Sequence, residues 1–220
     1  MHIPDGFLSL TICAVMYVIS VGFLLWAWKK VKSGYSTQVT PMLAVSSAFV
    51  FAAQMINFPI FAGASGHLVG GTFLAVLLGP YAAVLSMTIV VLMQAVIFVD
   101  GGISTFGANL FNMAIIGGMS FFLVKALLGK SKSSTRFFVS VFAASWVSIM
   151  LGALACGLQL GFSPFFAETG GVITTVPTIL FWHLIIGLGE ALITAALLTQ
   201  LKRMSPAVLS GYAVMGGSLK

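Results

Sequence analysis

Charge is what this sequence has least of. Lys, Arg, Asp and Glu make up 6% of its 220 residues, against 60% for hydrophobic ones. A soluble domain needs about 25% charged residues to solvate its surface, so a water-facing fold is excluded and the surface must meet hydrocarbon. The ten basic and four acidic residues leave a net charge of +6, but no long basic run of the kind that binds nucleic acid is present. Cysteine is nearly absent. Cys13 and Cys156 both sit in apolar stretches, giving neither a disulfide framework nor a zinc spacing, and a reduced, buried thiol is expected at each. No Lys or Arg precedes Lys29, so the basic start of a signal peptide is missing. The N-terminus is therefore expected to be mature as written, and bulky His2 to disfavour removal of Met1. A nucleotide site is missing too. Gly129-Lys130-Ser131 has the end of a phosphate loop, but Val124 stands where its first glycine belongs. If ATP drives this protein, another subunit hydrolyses it. No lysine lies deep in the last apolar stretch, which excludes a retinal protein.

What is present is a series of long apolar runs. A helix needs about 20 such residues to cross a bilayer core of roughly 30 Å. Residues 7–28, 41–61, 106–128, 137–160 and 176–201 qualify. The stretch from His67 to Val99 is too long for one upright crossing, about 50 Å as a single helix. Gly79-Pro80 near its centre breaks it, which predicts two shorter spans, 68–79 and 81–99. Charge placement agrees with seven spans. Lys29, Lys30, Lys32, Lys125, Lys130, Lys132, Arg136, Lys202, Arg203 and Lys220 then share one side, while Asp5, Asp100 and Glu168 lie at the opposite ends. The positive-inside rule makes the basic side cytoplasmic. The expected fold is an all-α integral membrane protein of seven transmembrane helices, N-terminus outside and C-terminus inside, with residues 1–220 as one transmembrane domain.

Polar groups inside such spans are expensive, so each is a candidate for function or for bonding between helices. They are Gln54, Asn57, Gln94, Asn109, Asn112, Gln159, His183 and Glu190. His183 and Glu190 are two helical turns apart on one face, about 10 Å along the axis, which argues against one shared metal. A proton relay, a metal pair, or bonding to two different neighbours all remain open for them. Small residues repeat at helical spacing as Ala44, Ala48 and Ala52 on the second span and Gly187, Ala191 and Ala195 on the last. Such stripes let backbones approach closely, within the chain or against another membrane protein.

The outer side carries Met1, His2 and the glycine-rich loop Gly63-Ala64-Ser65-Gly66-His67-Leu68-Val69-Gly70-Gly71. A free amine followed by His offers three nitrogens: the amine, the residue 2 amide and the imidazole. With the amide deprotonated they close adjacent chelate rings and favour a plane, and His67 could supply the fourth corner. Four nitrogens in a square plane suit Ni(II) or Cu(II), whereas zinc prefers a tetrahedron. Six extended residues before Phe7 reach up to about 20 Å, enough to fold back between helices, and Pro4, Asp5 and Gly6 have the turn chemistry for that reversal. The opposing reading is a frayed end beside a plain connector.

The opening Met1-His2-Ile3-Pro4-Asp5-Gly6-Phe7-Leu8-Ser9 resembles the start of the NikM/CbiM family, the substrate-binding components of energy-coupling factor transporters for nickel and cobalt. The loop with His67, Phe106-Gly107-Ala108-Asn109-Leu110-Phe111-Asn112-Met113 and Gly187-Leu188-Gly189-Glu190-Ala191-Leu192-Ile193-Thr194 resemble it as well. The resemblance implies one N-terminal helix added to a six-helix core, in the cell membrane of a prokaryote. It implies a metal site made of the Met1 amine, the His2 amide and imidazole, and His67, with Ni(II) as transported substrate and Co(II) as the alternative. Pro4-Asp5 resembles the nickel branch. It further implies a transmembrane coupling protein, docked at the alanine stripe of the second span, cytoplasmic ATPases and in some systems a small accessory membrane subunit. Asp5, Asn109 and Asn112 are candidates to orient the ligands. Two rival functions stand beside this one: a secondary metal transporter driven by an ion gradient, and an intramembrane metalloenzyme using His183 and Glu190.

Overall fold

The computed structural model describes residues 1–34, 39–59, 65–205 and 208–209. Helices dominate them: α1 (Leu10–Gly34), α2 (Val39–Gln54), α3 (Gly71–Leu78), α4 (Pro80–Met93), α5 (Phe106–Asn109), α6 (Ile116–Leu128), α7 (Ser134–Gly161) and α8 (Val172–Met204). Two-residue strands β1 (Phe58–Pro59) and β2 (Ser65–Gly66) form an antiparallel pair between α2 and α3. Five helical stretches, Leu10–Ser33, Pro80–Phe98, Phe106–Leu128, Ser134–Gly161 and Val172–Met204, are long and apolar enough to cross a membrane, and Thr40–Gln54 is a shorter apolar helix. The apolar side chains they leave exposed, among them Leu10, Val18, Leu92, Leu151, Phe181 and Leu192, are what a surface facing lipid requires.

The break at Gly79-Pro80 separates α3 from α4. Gly79 takes φ 85°, and Pro80 opens the next helix at its first position, where its missing N–H costs nothing. The helix before the break is shorter than the expected span 68–79. α3 has eight residues, about 12 Å, too little to cross on its own. All eight are buried. Its neighbours crowd it closely enough that a Cβ on Gly71 would lie 2.6 Å from the Gly117 Cα. The expected second span, 41–61, also ends early, at Gln54, because the chain turns into the β1–β2 pair; residues 60–64 lie outside the described residues, as do Gly63, Ala64 and Lys220.

Two helices widen into π-helical turns. α4 continues through one at Gln94–Phe98, and another, Leu110–Ile115, joins α5 to α6. Such turns add a residue to the helical circuit and mark functional positions more often than chance. Here they carry or adjoin Gln94, Asn109 and Asn112. The first ends on Val99, the one described non-glycine residue with positive φ, 55°, and leads into the tight segment 100–105.

Both cysteines are free and buried, as their apolar surroundings require. At the opposite end, Lys202 Nζ donates to the Lys132 carbonyl at 3.2 Å. The basic end of α8 therefore lies beside the basic turn between α6 and α7.

Candidate metal centre

The N-terminal segment folds back into the helices instead of fraying. Met1 and His2 are each 1% exposed and Ile3 is fully buried. Ordering a chain end costs conformational entropy, which here is offset by a dense set of hydrogen bonds. Ile3 N donates to Asn109 Oδ1 at 2.8 Å, and Asn109 Nδ2 returns a bond to the Ile3 carbonyl at 3.1 Å. The same carbonyl accepts from Gly102 N at 3.0 Å and Thr105 Oγ1 at 2.5 Å. Asp5 closes the turn. Its carboxylate accepts from Ile103 N at 3.1 Å, Ser104 N at 2.7 Å and Ser104 Oγ at 2.5 Å, and the Ser104 bond holds its pKa below the usual value. The segment 100–105 can lie this close because it carries Gly101 and Gly102. Gly101 has φ 92°, and any side chain on Gly102 would collide with Asp5.

This docking brings the three singled-out residues together. The Met1 amine donates to His67 Nε2 at 3.1 Å, although 66 residues separate them. The two imidazoles stack, ring centroids 4.6 Å apart and planes 30° from parallel. His67 Nδ1 donates to the Leu68 carbonyl at 2.7 Å, which leaves Nε2 as the ring's bare nitrogen. His2 Nε2 donates to Gln94 Oε1 at 3.0 Å, so in the neutral ring the proton sits on Nε2 and the Nδ1 lone pair carries none. Nδ1 is the nitrogen that closes a six-membered ring with the residue 2 amide, and the amide closes a five-membered ring with the amine. For metal–nitrogen bonds of about 2 Å, adjacent corners of a square plane are about 2.8 Å apart and opposite corners about 4 Å. The 3.1 Å between the amine and His67 Nε2 is therefore close to the spacing of neighbouring corners.

Electrostatics keep these nitrogens unprotonated. Burial lowers the Met1 amine from 8.0 to about 6, partly opposed by Cys156, Asp100 and Glu190. Burial, then the neighbouring amine, lowers His2 to about 3, and the same two causes put His67 well below 6.5. Proton competition for the lone pairs is correspondingly small. Asp100 Oδ1 lies 3.6 Å from His2 Nδ1, and Asn57 Nδ2 donates to its other oxygen at 2.7 Å. Among the described residues no cluster of three or more His, Cys, Asp or Glu is placed to hold a metal.

The remaining intramembrane polar groups divide by partner. Asn112 and Gln159 pair through reciprocal amide bonds of 2.8 and 3.0 Å, so Asn112 does not reach the N-terminal segment. His183 Nδ1 bonds the Ile179 carbonyl of its own helix at 2.8 Å. Glu190 instead accepts from Val69 N and, at 2.8 Å, Gly70 N. His183 thus bonds within its own helix and Glu190 bonds the loop at residues 69 and 70, and the reading of them as a catalytic metal pair fails. Gln94, Asp100 and Thr105 were not among the residues expected to orient the ligands. Gln94 had stood out only as a polar group inside a span, and Asp100 and Thr105 only as polar groups near the Gly101-Gly102 pair.

Asn109 gives a direct test of the docking. Asn109→Ala removes both bonds to Ile3, and metal affinity is expected to fall about 10–100-fold, as for other groups that orient a ligand. Calorimetric titration of the purified protein with Ni(II) checks this.

Comparison with known proteins identifies the family of the chain. A family model described as the cobalt uptake substrate-specific transmembrane region, CbiM, matches residues 2–208. The fused nickel transport protein NikMN of Rhodobacter capsulatus is 37% identical over 222 residues, with 96% of this chain and 64% of that protein covered. This chain therefore spans a little under two thirds of that relative. The cobalt transport protein CbiM of Thermosediminibacter oceani is 31% identical over 227 residues, covering 99% and 90%. The crystal structure of a truncated transition metal transporter superimposes with a TM-score of 0.85 at 37% identity, covering 92% of this chain and 99% of that one. With its long apolar helices this is a multi-pass membrane protein, a transport component and not an enzyme. The match runs from the second residue through the end of the last long helix, and the chain belongs to the CbiM family.

Proposed function

We propose that this chain captures Ni(II) at the outer face of the membrane in a square plane of four nitrogens: the Met1 amine, the His2 amide, His2 Nδ1 and His67 Nε2. It then serves as the substrate-specificity component of an ATP-driven uptake system. The single observation that carries this reading is the Met1 amine, buried and 3.1 Å from a bare imidazole nitrogen. Burying an amine is costly unless it is bonded, and here its partner is a nitrogen of the kind that ligates metals. Nickel is preferred to cobalt because four nitrogens in a plane suit Ni(II) and because Pro4-Asp5 stands after Ile3. Cobalt is the second reading, favoured by the cobalt transport relative.

We further infer that seven apolar segments, the short α3 among them, run as one domain from an outer N-terminus to an inner C-terminus, which would put capture outside. The acidic Asp5 and Asp100 flank the nitrogens, and the basic groups of α6, α7 and α8 gather at the far end. The ion sheds its water and displaces protons from the amine and amide, so acidification weakens binding. Inward release then needs a conformational change driven from outside this chain, by a transmembrane coupling protein and cytoplasmic ATPases. A small accessory membrane subunit is a further partner. The greater length of the fused nickel relative supports additional segments in such systems.

Uptake by reconstituted vesicles separates this mechanism from a secondary transporter. The chain alone is expected to bind Ni(II) without accumulating it, and to accumulate it only with its coupling protein, ATPases and ATP. Full-rate uptake by the chain alone, collapsing with the proton gradient, would overturn the proposal.

A further inference from the structure

His67 is the one ligand of the proposed cage that does not belong to the chain terminus, so something else must hold it at its corner. Before it, Gly66 pairs with Phe58 in the two-stranded ladder. After it, residues 68–70 run between α2 and α8 and are gripped from both. Glu190, mid-way along α8 and 3% exposed, accepts from two successive amides, Val69 N and Gly70 N, one on each carboxylate oxygen. From the other side Gln54, the fully buried last residue of α2, donates to the Val69 carbonyl at 2.6 Å. Gly70, at φ 76°, sits so tightly on α2 that a Cβ there would lie 2.9 Å from Val50 Cγ1. Both polar groups of Val69 are thereby assigned, two residues beyond the ligand.

The choice of residue is informative. A carboxylate inside a membrane helix is costly, and an amide would serve for ordinary bonding between helices. Two adjacent N–H donors pointing one way ask for two acceptor oxygens, which a carboxylate has and an amide lacks. Glu190→Gln would set an NH2 group against one of those donors.

We propose that Glu190, together with Gln54, is the positioning clamp of the fourth ligand: it fixes the loop that aims His67 Nε2 at the Met1 amine. Because the two anchors stand on different helices, a displacement of α2 against α8 moves His67 relative to the N-terminal nitrogens. This inference rests on the nitrogen cage proposed above. Neither Glu190 nor Gln54 touches the ion. They act through the main chain of residues 69 and 70.

The test uses Ni(II) as probe on the full chain, with the visible ligand-field spectrum and the rate of metal loss to a chelator as readouts. Wild type, His67→Ala and Glu190→Gln are compared. Glu190→Gln is expected to keep one Ni(II) on the N-terminal nitrogens, to shift the band in the same direction as His67→Ala, and to lose metal at least about 10-fold faster than wild type. A purely structural role for Glu190 would lower the yield or the melting temperature and leave the band of the bound fraction in place. A wild-type band and a wild-type rate in Glu190→Gln, with His67→Ala shifted, overturn the clamp and leave the cage standing. A His67→Ala spectrum identical to wild type overturns both. If Glu190→Gln cannot be recovered folded, Gln54→Leu releases the same loop from α2 and is read by the same band, where an unshifted spectrum again counts against the clamp.

Discussion

A single residue added before Met1 is expected to abolish stoichiometric Ni(II) binding. The added peptide bond turns the amine into an amide, and the new amine is displaced by one residue. No room exists to absorb the change. Met1 is 1% exposed, with its thioether packed so that a Cβ on Gly152 would lie 3.1 Å from Met1 Sδ. The extended chain must either leave the core, breaking the Ile3 bonds to Asn109, Gly102 and Thr105, or force a peptide unit into a filled space. Either route separates a ligand from His67. Affinity is expected to fall by far more than 100-fold, or about 2.7 kcal/mol, since that is the upper end of what losing a mere orienting group costs. Metal analysis after gel filtration checks it, with a tag kept at the C-terminus in both forms.

His2→Ala is expected to have the second largest effect. The imidazole does two things in the proposed cage: Nδ1 supplies a ligand, and its chelate ring makes deprotonation of the residue 2 amide worthwhile. Removing it takes away two of four corners. It also strands Gln94, whose Oε1 loses its donor, and leaves His67 without its stacking partner. Metal retention should fall by more than about 100-fold, while the apo protein keeps its helices, because none of the long helices depends on this ring. Dialysis against Ni(II) followed by circular dichroism distinguishes the two effects.

Much of this architecture is legible in the sequence, and the pattern of what is not follows a physical line. Membrane class and the break at Gly79-Pro80 depend on composition and on proline stereochemistry, which are local. The proposed N-terminal cage rests on a local pattern as well. Amine, amide and imidazole are covalently adjacent, so their chelate geometry is set by three consecutive residues whatever surrounds them. Only His67 had to be brought from a distance. The length of α3 was overestimated because an apolar run shows where a helix can exist, but not where neighbouring turns take its ends. The π-helical turns at Gln94–Phe98 and Leu110–Ile115 leave no periodic signal, since they arise from packing between elements.

The polar residues show the same division. That Gln94, Asn109 and Glu190 matter was readable from their cost in a membrane. Their partners were not, because each bonds a group 92 to 121 residues away in the chain. Asn112 illustrates the hazard. It lies one turn from Asn109 and resembles it chemically, yet it faces Gln159 instead of the N-terminal segment. His183 and Glu190 share a helix face by spacing, yet His183 bonds its own helix while Glu190 bonds the loop before α3.

The central claim is that a buried chain terminus, and not a cluster of side chains, holds the metal. Its most direct test is the metal content and visible spectrum of the chain purified alone after loading with Ni(II), tagged only at its C-terminus. One Ni(II) per chain with the single band of a square-planar nitrogen site is the predicted result. No retained metal, or the weak bands of six-coordinate Ni(II) bound by oxygen, would contradict the account and detach transport from Met1, His2 and His67.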